Sequence, residues 1–124
     1  MNYEEFDKLT DEKEIWVQYI ISFPDIFMTS YCGYWMRQIA FKDGLGHLAR
    51  EDEGESKSSD KKAAKEFHKN GSAIEGYFLI DRELAEKAWD IGIRRWGEDW
   101  HENADSESYD IVMQEALFSD IIYG

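Results

Sequence analysis

The side chains best placed to do chemistry in this chain are carboxylates, crowded toward its end. From Trp96 to Gly124 it carries Glu98, Asp99, Glu102, Asp105, Glu107, Asp110, Glu115 and Asp120, and no lysine or arginine. The run is densest over Glu98 to Asp110, where Trp100 and Tyr109 interleave the acids. Carboxylates fixed on a folded surface imitate the charge of a nucleic-acid backbone and fit a basic groove. Indole and phenol rings beside them are the anchors enriched in protein interfaces. The expectation is a partner-binding surface of Glu98, Asp99, Trp100, Glu102, Asp105, Glu107 and Asp110. The same acids also suit the positive end of a helix, a purely structural reason for their place.

Other constellations are thinner. Glu98 and His101 form one Glu-x-x-His. Carboxylate-bridged di-metal sites need two such motifs and two further glutamates. There is no second copy, and Gly97 argues against a regular helix there, so no metal and no cofactor is expected. Cys32 lies among aromatics, and none of His47, His68 and His101 is spaced to serve it as a base. A thiol in that setting is expected to be buried and inert, and no catalytic residue is assigned. Phosphate-binding glycine frames, paired zinc cysteines and a serine elbow are absent. A second binding reading uses Tyr34, Trp35, Arg37, Arg94, Arg95 and Trp96, whose rings would stack a nucleotide-like base while the arginines hold phosphate.

These side chains must be positioned by an α+β fold, a small sheet of two to four short strands covered by three to five helices. Tyr3, Phe6 and Leu9 recur at helical spacing behind Asn2, a ready N-cap. Ile15 to Ile21 is rich in β-branched and aromatic residues and predicts a strand, with a helix from Asp11 as the alternative. Pro24 opens a dense apolar segment running to about Phe41, where Ile26, Tyr31, Trp35 and Ile39 predict one helix or two short ones. A turn follows at Asp43 to Gly46. Residues 51–60 contain nothing apolar, so no core packing holds them, and a mobile surface loop is expected there.

Asp60 then caps a basic helix from Lys61 to Asn70, stopped by Gly71. Its cationic face of Lys61, Lys62, Lys65 and Lys69 could fold back on the acidic remainder. A strand is predicted at Gly76 to Ile80, and a helix at Arg82 to Trp96 with Asp81 as its cap and Gly97 as its stop. Another helix starts behind Asp105 or Ser106, with Tyr109, Val112, Met113, Ala116 and Leu117 on one face. Ile121 to Tyr123 predicts a closing strand.

The totals narrow the function classes. A chain of 124 residues with 43% hydrophobic and 15% aromatic residues holds enough apolar mass to fold as one domain. Twenty-seven acids against fourteen bases leave a net charge of −13. That field repels phosphate backbones and anionic lipid, so neither direct nucleic-acid binding nor membrane binding is expected. It speeds encounter with basic protein surfaces, such as those of a nuclease or a DNA-binding protein. One cysteine, no basic apolar leader and no long apolar run predict a cytoplasmic protein.

Three stretches carry a resemblance: Phe27 to Trp35 (FMTSYCGYW), Ile91 to Trp100 (IGIRRWGEDW), and Tyr109 to Leu117 (YDIVMQEAL) with the closing Tyr123-Gly124. Together they resemble a group of small uncharacterised proteins of phages and other mobile elements, over most of the chain outside residues 51–60. The resemblance carries over no catalytic residue. It implies a setting in which small acidic proteins inhibit host nucleic-acid-handling or defence proteins.

Overall fold

The computed structural model describes residues 1–23, 35–52 and 54–122. Their order is α1 (Tyr3–Asp7), α2 (Glu12–Ser22), β1 (Met36–Lys42), β2 (Gly46–Glu51), α3 (Ser59–Asn70), β3 (Phe78–Ile80), α4 (Arg82–Trp96), a 3-10 turn (Trp100–Glu102) and α5 (Ser106–Phe118). Among the described residues, three antiparallel strands in the order β1-β2-β3 and five helices make this an α+β fold.

The central strand β2 explains the layering. Leu48 joins Ala40, Ala63 and Phe67 in a small cluster under α3, while Ala49 joins the main core built from α2, α4 and α5. Both faces of β2 are therefore covered, and every residue except Glu51 is buried. Strand β1 serves both layers through a bulge. Its pairing register slips between Gln38 and Ala40, which sends Met36 into the main core and Ala40 toward α3. The hairpin turns on Leu45 N–H donating to the Lys42 carbonyl at 3.0 Å. Gly46 follows at φ +120°, where any Cβ would run into the Ile80 carbonyl of β3. Only glycine lets these strands approach so closely.

Several local expectations are corrected. Residues 15–21 form the middle of α2, as the alternative from Asp11 had it. The Asp11 carboxylate accepts from Glu14 N–H at 3.1 Å, and Trp16, Val17, Ile20 and Ile21 bury one helical face. Packing of that face outweighs the β-propensity of its residues. Residues 36–41 belong to β1, because the turn at 43–45 folds them back onto β2; the rest of the helical segment expected from Pro24, with Cys32, lies outside the described residues. Asp60 sits inside the first turn of α3 and binds Arg50, Tyr77 and Lys57 instead of capping the helix. Ser119 leaves α5 in the left-handed conformation, and Ile121 and Ile122 pair with no strand among the described residues. Ile122 N–H donates instead to the Gln114 side chain at 2.9 Å. Tyr123 lies outside the described residues.

The loop expected over 51–60 is narrower, since Glu51 ends β2 and Ser59 begins α3. Polar ties span it. Arg50 grips the Asp60 carboxylate with two nitrogens at 2.9 and 3.0 Å and donates to the Glu55 carbonyl at 2.9 Å. Arg37 reaches the Gly54 carbonyl at 3.2 Å and Ser56 at 3.4 Å. No helix among the described residues is long and apolar enough to cross a membrane.

Candidate functional site

The acidic segment hangs between two well-formed helices. Asp81 caps α4 by accepting from Leu84 N–H at 3.0 Å, and Gly97 ends it. Asp105 caps α5 through Ser108 N–H at 3.0 Å, with Ser108 Oγ answering in a capping box. The ten residues 98–107 are thus fixed at both ends, close to where the α4–α5 pair packs.

Trp100 fastens the middle. Its indole packs among Trp16, Trp89, Trp96 and Tyr109 at ring separations of 5.4 to 5.9 Å. Gly92 makes room for it, since a Cβ at that position would fall inside the indole. A bulky, rigid side chain held on all sides restrains the backbone on either flank of it.

Seven residues were expected to form the docking surface, and they separate by burial. Glu98, Asp99, Glu102, Asp105 and Glu107 are exposed. Trp100 is only 5% exposed and Asp110 8%, so both are corrected from contact residues to supports. Asp110 accepts from the Trp35 indole N–H at 2.5 Å and from Gln114 Nε2 at 3.0 Å, tying the residue just before β1 to α5. Tyr109 is half-buried. Desolvation first, then the neighbouring Tyr19 and Asp105, raise its pKa. The ring that does reach solvent is Trp96, 45% exposed. With Asp99, Asn103, Ala104 and Ser108 it lines a shallow concavity of about 300 Å³.

Cations do not quench this surface. Among the described residues no ion pair reaches Glu98, Asp99, Glu102, Asp105 or Glu107. Arg94 and Arg95, the nearest in sequence, both turn to Glu115 on α5, Arg95 at 2.6 Å. The lysines of α3 lie across the sheet, where Lys62 and Lys69 act on Glu66. Backbone and side-chain hydrogen bonds from Ser108 lower the pKa of Asp105, so it stays ionised.

The aromatic and arginine set does not converge in the same way. Trp35 is 2% exposed and spends its N–H on Asp110. Arg37 lies against Asp52, Gly54 and Ser56, whereas Arg94 and Arg95 share Glu115. Tyr34 lies outside the described residues. Glu98 does not partner His101 either. His101 instead places Nε2 2.7 Å from the Glu12 carboxylate at the start of α2. Sequence spacing had no means to find Glu12, which is 89 positions away. Trp96, expected from sequence to stack a base with those arginines, closes α4 and is 45% exposed.

No protein-family model, curated protein or solved structure gives a significant match to this chain.

Proposed function

We propose that this chain works by binding. Its acidic turn at 98–107 docks on a basic surface of another protein, with the Trp96 indole as the apolar anchor at the edge of the contact. The observation that carries the reading is the combination of five exposed carboxylates within ten residues, none ion-paired among the described residues, on a backbone capped at both ends and pinned by Trp100. Unpaired fixed charge keeps its field outward, and preorganised charge loses little entropy on docking. A large half-exposed indole beside it is the residue type that most often dominates an interface.

The partner that fits is a nucleic-acid-handling or defence protein whose basic groove would otherwise hold phosphates. The chain would then inhibit it by occupying that groove as a nucleic-acid mimic, in a phage or mobile-element setting. The net charge of −13 supports this by speeding encounter with such a surface.

The test is affinity capture from the native host at low and high salt, with Glu98→Lys, Asp99→Lys and Glu107→Lys combined in one variant. A specific basic partner retained by the parent at low salt and lost by the variant is the expected result. Screening over about 8–10 Å should also slow the encounter as salt rises. Equal capture by both chains, with the variant's helix content unchanged, would overturn the docking surface.

A further inference from the structure

One group of side chains in this region belongs neither to the core nor to the docking surface alone. Glu12 opens α2, while His101 and Glu102 come from the 3-10 turn. One donor atom from each lies within 4.8 Å of the other two. Two carboxylates and an imidazole, drawn from segments 89 residues apart, form a divalent-metal donor set.

His101 is oriented for that role. Its ring lies over Trp89 with centroids 4.9 Å apart, and both ring nitrogens are shielded from solvent without an aligned hydrogen bond. Nε2 sits 2.7 Å from Glu12 Oε2, yet the two are not aligned as donor and acceptor. In a tetrahedral site donors about 2.0–2.2 Å from the metal stand about 3.3–3.6 Å apart, so a small outward rotation of the exposed Glu12 carboxylate opens the gap for an ion. Glu102 is exposed, and its carboxylate already lies within 4.8 Å of the donors of Glu12 and His101. Glu12 and His101 also line a cavity of about 360 Å³ walled by Trp16, Tyr19, Trp89 and Tyr109. An ion held there would stand at the border of an aromatic chamber.

We propose that Glu12, His101 and Glu102 form a binding site for a divalent transition metal, with zinc as the best match. Mixed imidazole and carboxylate donors suit Zn²⁺, whereas Mg²⁺ and Ca²⁺ favour oxygen-only sites. The negative field of the chain concentrates cations at this end of the molecule. The site does not depend on the docking reading, because it concerns the isolated chain and the metal alone.

The test is titration of purified, metal-stripped protein with ZnCl₂, and separately with MgCl₂, followed by calorimetry and by tryptophan fluorescence. One Zn²⁺ per chain is expected, with a change in emission because Trp89 lies against His101, and with Mg²⁺ bound far more weakly. Glu12→Gln, Glu102→Gln and His101→Gln should each weaken Zn²⁺ binding by more than about tenfold, a loss that removal of even an outer-layer partner can cause. Glu98→Gln should bind like the parent. Glu12 and Glu102 are exposed, so those two variants report on the site even if His101→Gln disturbs the fold. The proposal is overturned if the parent binds no stoichiometric Zn²⁺, if Glu12→Gln and Glu102→Gln bind as the parent does, or if Glu98→Gln loses as much as they do.

Discussion

His47 offers a sharp physical test of the fold. It sits on the central strand with no exposed surface, and its Nε2 lies 2.7 Å from the Ile20 carbonyl of α2. Burial lowers its pKa from 6.5 to about 4, against the smaller raising effect of that carbonyl. The ring is therefore neutral in the folded chain, with Nε2–H donating to Ile20. In the unfolded chain it takes up a proton near pH 6.5. Between those two values the unfolded state binds more protons, so stability falls as pH drops from about 6.5 to 4 and levels off below. Each unit of difference is worth about 1.4 kcal/mol, so the full effect is on the order of 3 kcal/mol. Two depressed carboxylates do not confuse this window. Glu14, held to about 2 by Arg82, and Asp60, held low by Arg50, give stability whose loss begins around their unfolded values of 4.5 and 3.8, so it touches only the acid end of the window and cancels against a variant that keeps both groups. Relief of acid–acid repulsion pushes the opposite way throughout, which makes a matched variant necessary. His47→Gln keeps a donor near the Nε2 position and removes the titration. Urea melts of both chains at intervals from pH 7.5 to 4.5 should show the parent losing stability relative to His47→Gln, by about 2 kcal/mol or more at the acid end. Parallel curves would refute the reasoning, since they would mean that the ring is protonated in the fold or is not buried.

Two further outcomes follow from packing and from buried charge. Gly92→Ala adds a methyl where the Trp100 indole already stands, so overpacking of about 1–3 kcal/mol should outweigh the gain in helix propensity. Thermal melts and near-ultraviolet dichroism of the tryptophans would report it, and an unchanged or raised midpoint would contradict the tight fit. Arg50→Met removes a guanidinium that is 2% exposed and leaves Asp60 facing an apolar side chain. A cost of about 3 kcal/mol is expected, together with faster amide exchange across residues 54–58; exchange as slow as in the parent would show that Arg50 does not hold the loop.

Much of the framework was legible locally. Asn2, Asp11, Asp81 and Asp105 each cap a helix through a side-chain oxygen, and Gly71 and Gly97 each end one. Such signals act within four residues of chain and need no partner from elsewhere. What failed depended on distant partners. Strand β2 hid because burial on both faces erases the two-residue alternation, and because a buried histidine and arginine read as surface residues. Strand β1 was mistaken for helix because its bulge breaks the same alternation.

The candidate site divides along the same line. Sequence by itself determined the charge, its concentration over 98–110 and the helix ends that frame it, since composition and caps are properties of adjacent residues. Tertiary structure alone decided which of those groups meet solvent. It buried Trp100 and Asp110, exposed Trp96, drew Arg94 and Arg95 onto Glu115, and brought Glu12 to His101 from the far end of the chain. Exposure and pairing are set by what packs above a side chain, and that is fixed only when segments far apart in the chain close on one core.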